Sequence, residues 1–161
     1  MKVLRIYIDT SVFGGYFDTE FSLATQGFFG EIESGKILPL LSETLAREVE
    51  DAPAEIQQLL QKVMSGPCEQ LIVGADVVNL ARAYLEDKVV SEKYADDALH
   101  VALATCARAD SIASWNFRHM VNPVRIQAFN RVNRLQNFGA ITIMTPEDIL
   151  RALEESDEED Q

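Results

Sequence analysis

Acidic side chains lie beside apolar segments at three places in the chain. Asp9 comes directly after the apolar run at residues 3–8, and Glu48 lies six residues after Ser42, which ends a second apolar run. Asp97 borders the apolar face of a later segment. A buried carboxylate is unfavourable unless it is paired or bound to a cation. An acid after a strand is more often a helix cap, so either role is open for each acid alone.

Converged carboxylates would repel one another and would require positive charge. Oxygen-rich sets of ligands suit Mg²⁺ or Mn²⁺ better than zinc. One or two such ions could bind a phosphate oxygen and activate a water for attack. The hydroxyls of Thr10, Ser11 and Ser114 could then contact the phosphate or hold the acids in place.

Short apolar strands alternate with amphipathic helices along the whole chain. Strands are predicted over 3–8, 37–41, 71–73, 111–114 and 140–144, and helices over 19–34, 42–51, 53–64, 75–87, 93–108, 123–137 and from Thr145 onward. This order predicts an α/β fold, a three-layer sandwich with a mostly parallel central sheet. Ligands bind such sheets beyond the carboxyl ends of the strands, where the polar residues are expected to meet.

Length and composition favour one domain in a reducing environment. The chain has 161 residues, 47% hydrophobic and 25% charged, and only two cysteines. These values exclude a disordered chain, a disulfide scaffold and a cysteine-rich zinc site. We expect a single domain over residues 1–152, a disordered acidic tail over 153–161, a cytoplasmic location and no membrane contact, because Asp9 interrupts the first apolar run.

The charge is distributed unevenly. The formal net charge is -12, which opposes nucleic-acid binding by the surface as a whole. Residues 111–146 nevertheless hold four arginines and no acid: Arg118, Arg125, Arg131 and Arg134. This segment is either an ordinary solvated helix face or a surface that faces a polyanion.

Four segments in order resemble a known nuclease family. They are Ile6-Tyr7-Ile8-Asp9-Thr10-Ser11-Val12-Phe13, Leu41-Ser42-Glu43-Thr44-Leu45-Ala46-Arg47-Glu48, Asp97-Ala98-Leu99-His100-Val101-Ala102-Leu103-Ala104 and Ile112-Ala113-Ser114-Trp115-Asn116-Phe117-Arg118-His119-Met120. Together they resemble the PIN domain, the nuclease fold of VapC-type bacterial toxins. The resemblance implies metal binding by Asp9, Glu48 and Asp97, and endonucleolytic hydrolysis of RNA phosphodiesters with Mg²⁺ or Mn²⁺. It also implies that the chain could be the toxin of a toxin–antitoxin pair.

The resemblance is incomplete at a fourth position, where many PIN domains carry another acid. Here the candidates are Asn116 and His119. We assign Asn116 to catalysis as a neutral ligand or a partner of metal-bound water. Ser114, Thr10 and Ser11 are assigned to substrate binding, as is Arg118, the nearest base for an RNA phosphate.

Several alternatives stay open. Asp96 could replace Asp97, and His100 is better explained as a buried structural histidine than as a catalytic one. The domain could also be a catalytically weak module that binds RNA or a protein. A phosphatase with Asp9 as nucleophile ranks low, because Ser11 stands where such enzymes have a second acid. RNA and an antitoxin are the expected partners, and exposed aromatic groups within 13–29 would favour a homodimer.

Overall fold

A computed structural model describes residues 2–160 and contains a sheet of five parallel strands. The strands are β1 (Leu4–Ile8), β2 (Ile37–Ser42), β3 (Glu69–Leu71), β4 (Ser111–Ala113) and β5 (Ile143–Met144). Their order across the sheet is β3-β2-β1-β4-β5, with Leu4 opposite Ile37 and Ile6 opposite Ser111. The carboxyl ends of all five strands therefore lie along one edge.

Eight α-helices connect the strands within residues 2–160. They are α1 (Thr10–Gly15), α2 (Ser22–Glu33), α3 (Glu43–Val49), α4 (Ala54–Met64), α5 (Ala75–Glu86), α6 (Ala95–Cys106), α7 (Pro123–Leu135) and α8 (Pro146–Glu159), with a 3₁₀ turn at Glu92–Tyr94 before α6. In this part of the chain no helix combines the length and the apolar character that crossing a membrane would require.

The alternation of side chains along β1 produces the three layers. Ile6 and Ile8 face one apolar core, which α1 to α4 and α8 cover. Tyr7 faces the opposite core, which α5, α6 and α7 cover. Both faces of the sheet are thus buried, as the continuous apolar strands predict, and the expected α/β sandwich is confirmed.

Polar residues define where three helices begin. The Ser42 hydroxyl accepts from the backbone N–H of Leu45 at 3.1 Å and starts α3 directly after β2. Asn122 accepts from the N–H of Val124 at 3.0 Å at the start of α7, and Thr145 caps α8 in the same way. Such caps satisfy helix N–H groups that lack a partner within the helix.

The structure differs from the expected elements in three places. The predicted helix over 19–34 is α2 alone, and the short α1 before it was not predicted. Two adjacent glycines, Gly14 and Gly15, lower the helix propensity of α1, which hides it from pattern analysis. The strand expected over 71–73 lies two residues earlier, at Glu69–Leu71, and the strand expected over 140–144 is reduced to Ile143–Met144.

The acidic tail expected to be disordered from Leu153 continues α8 to Glu159. Leu153 packs into the core beside β1, and Lys36 pairs with Asp157 at 3.0 Å. A helix that is already started by Thr145 and Pro146 extends at little cost per residue, which explains the longer helix. The last residue, Gln161, lies outside the described residues.

Most of the aromatic segment at 13–29 is core. Phe13, Phe28 and Phe29 are buried, whereas Phe17 and Leu23 are exposed. The homodimer predicted from this segment remains a prediction, with a smaller apolar surface to support it.

Gly15 lies against the only tryptophan of the chain. A Cβ added at Gly15 would stand 2.7 Å from the indole ring of Trp115. The indole cannot easily move, because it stacks on Phe21 with ring centroids 4.3 Å apart and its Nε1–H donates to Thr25 at 2.9 Å. At Gly14 an added Cβ would meet no atom within 4 Å.

We therefore expect Gly15→Ala to destabilise the protein by about 1–3 kcal/mol, the usual effect of overpacking. Gly14→Ala is the matched control and should be neutral or stabilising by up to about 1 kcal/mol, since alanine favours helix. Urea unfolding followed by Trp115 fluorescence measures both. Equal stability of the two variants would contradict the close packing of α1 on Trp115.

Candidate active site

Asp9 is buried directly after β1 and is held by two hydroxyls. Its side chain is 6% exposed. Ser11 donates to its Oδ2 at 2.6 Å and Ser114, after β4, donates to the same oxygen at 2.8 Å. The Ser11 hydroxyl in turn accepts from the N–H of Trp115 at 2.9 Å. The two serines thus fix the Asp9 carboxylate and leave its Oδ1 outside any hydrogen bond within residues 2–160.

His100 lies between Glu48 and Asp9. Its Nε2 is 2.5 Å from Glu48 Oε1 and 3.6 Å from Asp9 Oδ1, and its side chain is 1% exposed. Thr10 donates to the same Glu48 oxygen at 2.9 Å. Residues that follow β1 and β2 are therefore joined to α6 through one imidazole ring.

The environment of this contact favours a charged pair. Burial by itself lowers the pKa of His100, but the hydrogen bond to Glu48 and the negative charges of Asp9, Glu48 and Asp97 together raise the pKa above 6.5. Partial burial would raise the pKa of Glu48, yet His100 and the hydrogen bond from Thr10 lower it below 4.5. These shifts favour an imidazolium opposite a carboxylate at pH values between 4.5 and 6.5.

Tyr7 orients the imidazole from within β1. Its hydroxyl is 2.6 Å from His100 Nδ1 and 2.8 Å from Ser42 Oγ, and it is buried. Burial raises the pKa of Tyr7 well above 10, so the phenol stays protonated. With a charged His100, Nδ1–H donates to Tyr7 and Tyr7 donates to Ser42. The ring therefore directs Nε2 toward the acids.

Asp97 enters the site from the first turn of α6. Its Oδ2 is 3.0 Å from Nδ1 of the buried His119. Burial and the nearby charge of Asp9 raise the pKa of Asp97, against the effect of His119. Asp96, the alternative candidate, points elsewhere and pairs with Arg47 at the surface at 2.8 Å. The geometry thus favours Asp97 over Asp96 as a neighbour of Asp9.

Asn116 uses its side chain to shape the loop after β4. Its Oδ1 accepts from the N–H of His119 at 3.0 Å, and its own N–H donates to Ser114 at 2.9 Å. Its catalytic assignment remains a prediction. The contacts show that Asn116 holds Ser114, which contacts Asp9, and His119, which contacts Asp97.

The residues assigned to substrate binding fall into two groups. Thr10, Ser11 and Ser114 direct their hydroxyls at Glu48 or Asp9, so they position the acids in this structure. Arg118 is exposed, and its guanidinium lies over the ring of Tyr94, 5.6 Å from the centroid. Only Arg118 is therefore already free to meet an anion.

The donors suit a hard cation but are not gathered around one point. Within residues 2–160 no three His, Cys, Asp or Glu side chains form a ready-made metal site. Asp9, Glu48 and Asp97 each engage one carboxylate oxygen with protein groups, and the second oxygen of each accepts no hydrogen bond in the described part. Three carboxylate oxygens are ligands that Mg²⁺ or Mn²⁺ accepts. The chemistry of these ligands therefore fits such an ion. Without the ion, His100 provides the positive charge beside the carboxylates.

Comparison with known proteins defines the fold and no more. No family model and no curated protein matches the sequence. Two similar solved structures are VapBC2 from Rickettsia felis, bound to a DNA fragment from the promoter, and FitAcB from Neisseria gonorrhoeae. VapBC2 shares 11% identity with a TM-score of 0.55, over 88% of this chain and 98% of that one. FitAcB shares 12% identity with a TM-score of 0.52, over 88% and 97%. The fold of this chain is of the kind found in these assemblies.

Tyr7 was missed by the sequence analysis, and His100 was ranked as a buried structural histidine ahead of a catalytic one. His100 lies three residues after Asp97, a spacing that places both on one side of a helix, so the signal was present. Tyr7 lies inside an apolar strand, and a buried tyrosine usually needs a partner for its hydroxyl. That need was the available clue.

The charged pair gives the metal-free protein a defined pH dependence. A raised pKa at His100 adds stability that is present below pH 6.5 and is lost as pH rises through the folded pKa. A lowered pKa at Glu48 adds stability that is present above pH 4.5 and is lost as pH falls through its folded pKa. The contribution of the pair should therefore be greatest between these two values.

We expect the pKa of His100, measured by NMR, to lie above 6.5. In Glu48→Gln this pKa should be lower than in the parent, because the charge that favours the imidazolium is removed. His119→Gln assigns the signal, since the chain has only two histidines. The difference in unfolding free energy between the parent and His100→Gln should shrink above the His100 pKa. A His100 pKa below 6.5 would refute the charged pair.

Proposed function

We propose that the protein is a divalent-metal-dependent endoribonuclease that hydrolyses RNA phosphodiesters. The observation that carries this proposal is that three acids, Asp9 after β1, Glu48 near the end of α3 and Asp97 at the start of α6, lie at the carboxyl edge of a parallel sheet, although they do not surround one point. Asp9 and Glu48 contact the same imidazole, and Asp97 is close enough to Asp9 for their charges to repel. The shared fold with VapBC2 supports the proposal.

Asp9, Glu48 and Asp97 would hold Mg²⁺ or Mn²⁺ through their remaining oxygens. The ion would supply positive charge to the phosphate and make a water more acidic. Ser11 and Ser114 keep the Asp9 carboxylate oriented, and Thr10 does the same for Glu48. His119 anchors Asp97. The protein's own contribution is thus a set of acids whose positions are fixed before substrate arrives.

The role as a toxin with an antitoxin partner is proposed on the sequence resemblance to VapC-type toxins. The likeness to VapBC2 and FitAcB supports this role at the level of the fold. Growth arrest on expression that Asp9→Asn abolishes would support it, and a small neighbouring gene whose product relieves the arrest would identify the partner.

A catalytically weak binding module is the second candidate. It is favoured by Asn116, which provides a neutral amide where a fourth acid is common in the resembling family and already uses its oxygen on His119. Metal binding without hydrolysis of any RNA would select this alternative.

We expect Asp9→Asn and Asp97→Asn each to lower RNA cleavage by more than about 100-fold. Loss of a partner that merely orients a metal ligand already lowers activity by about 10–100-fold, and these residues are the proposed ligands. Asp96→Asn is the matched control, because this neighbouring acid pairs only with Arg47 at the surface. A labelled RNA panel assayed with Mg²⁺ and with Mn²⁺ gives the rates.

If Asp9→Asn cleaves as fast as the parent, the activity lies elsewhere and the nuclease proposal fails. If Asp96→Asn loses as much as Asp97→Asn, the assignment of Asp97 over its neighbour is wrong.

We also expect millimolar Mn²⁺ to raise the melting temperature, because the ion relieves repulsion among the acids. Free Mn²⁺ at about 100 times its Kd adds about 2.7 kcal/mol, which for a chain of this size shifts the Tm by roughly 5–10 °C. Asp9→Asn should lose the shift while Asp96→Asn keeps it. A Tm of the parent that Mn²⁺ leaves unchanged would count against the metal site.

A further inference from the structure

A groove of about 570 Å³ opens next to Asp97. It runs between the end of α5, the 3₁₀ turn before α6, the loop after β4 and the start of α7. His119 lines it and contacts Asp97 at 3.0 Å, so the groove reaches the candidate active site through this histidine.

Three cations line the groove, with one acid. The cations are Lys88, Arg118 and Arg125, and the acid is Glu92. This local excess of positive charge is unusual in a chain with 26 acids and 14 lysines and arginines.

The three cations are not neutralised by ion pairs. Within residues 2–160, half of the lysines and arginines pair with an acid: Lys2, Arg5, Lys36, Arg47, Lys62, Arg131 and Arg151. None of the groove cations is among them. Arg125 donates to the carbonyl of Val89, and Arg118 lies over Tyr94. Their full charges therefore remain available to a ligand.

The groove is also partly ordered in advance. The ring of Tyr94 contacts both His119 and Arg118: its centroid is 4.0 Å from that of the His119 ring and 5.6 Å from the Arg118 guanidinium. A guanidinium held over an aromatic ring keeps its donors directed outward, where they suit the oxygens of phosphate. Lys88 occupies a left-handed backbone position, φ 58°, which glycine would adopt more easily.

We infer that this groove holds the sugar–phosphate backbone of the RNA strand next to the bond that is cut. The inference rests on the proposed function and adds to it the path of the RNA strand across the surface. Several unpaired cations along an open groove match a chain of phosphates better than a single small anion. Two of the four arginines in the acid-free segment 111–146 thus face a polyanion, while Arg131 pairs with Asp87.

The test measures binding separately from cleavage. A fluorescein-labelled single-stranded RNA is titrated with the full chain in EDTA, so that no hydrolysis occurs, and anisotropy is followed at several salt concentrations. The groove variant is Lys88→Gly with Arg118→Gln, which removes two charges, breaks no hydrogen bond to the backbone and relieves the left-handed position. The matched control is Arg82→Gln with Arg134→Gln, two exposed cations that lie outside the groove and form no ion pair with any described residue.

The groove variant should bind at least about 10-fold more weakly than the parent near 100 mM salt, with a salt slope reduced by about 1–2. The control should retain parental binding, and both variants should unfold at or above the parental midpoint. If the control loses as much affinity as the groove variant, net charge alone explains binding and the inference fails. Absence of binding by the parent at low salt also overturns it.

Two further arms separate the groove from the nuclease proposal. Polyglutamate and an unlabelled RNA of equal charge are compared as competitors of the labelled RNA. If polyglutamate displaces the labelled RNA as effectively as the unlabelled RNA does, the ligand is an acidic peptide and the inference is overturned. With Mn²⁺, the groove variant should raise the KM for RNA, whereas unchanged cleavage by this variant would reject the groove and leave the nuclease proposal standing. Binding that depends on the groove, without cleavage by the parent, would reject only the nuclease.

Discussion

Negative charge gathered at the end of a buried sheet must be balanced, and in this protein His100 provides the balance. Two carboxylates lie within 3.6 Å of its Nε2, and the charge of a third, Asp97, also raises its pKa. Removing the positive charge would leave the buried Asp9 and the partly buried Glu48 with hydrogen bonds from hydroxyl groups but without this opposite charge, which is costly in a medium of low dielectric constant. The requirement explains why Tyr7 and Ser42 are arranged behind the ring. They hold the imidazole where its charge is needed.

The alternation of strands and helices, and with it the three-layer fold, could be predicted because the elements depend on short-range patterns; the order of the strands across the sheet was not predicted. Continuous apolar runs such as that before Asp9 identify buried strands, and Thr145-Pro146 identifies a helix start. The proximity of Asp9 to residues on α3 and α6 could be anticipated from the rule that parallel strands end at one edge. The spacing of Asp97 and His100 on α6 indicates that His100 lies near the site, but its contact with Glu48 could not be predicted, because that contact depends on how α6 packs against α3. Helix α1 could not be predicted either. The close contact of Trp115 leaves no space for a side chain at Gly15, and glycine has a low helix propensity.

The uneven charge of the surface has a consequence for how an anion could approach. With a net charge of -12, the distant field repels a polyanion, so long-range attraction cannot guide it. At a physiological ionic strength of about 0.15 M this repulsion is screened beyond about 8 Å, and unpaired cations then act at short range. Lys88, Arg118 and Arg125 are three such cations in the groove beside the candidate site. Binding to such a surface would be selective for ligands that can enter the groove.

The loop after β4 links the candidate active site with the groove. Ser114 donates to Asp9, the N–H of Trp115 donates to Ser11, and Asn116 accepts from the N–H of His119, which contacts Asp97. Arg118, between these anchors, projects toward the groove. One hydrogen-bonded segment of the chain therefore contacts Asp9 directly and Asp97 through His119, and it also places the Arg118 cation in the groove. An asparagine at position 116 satisfies the backbone of this loop without adding a fourth acid beside Asp9, Glu48 and Asp97. The neutral side chain is thus consistent with the electrostatics of the metal-free protein, and only a bound cation would make an aspartate favourable there.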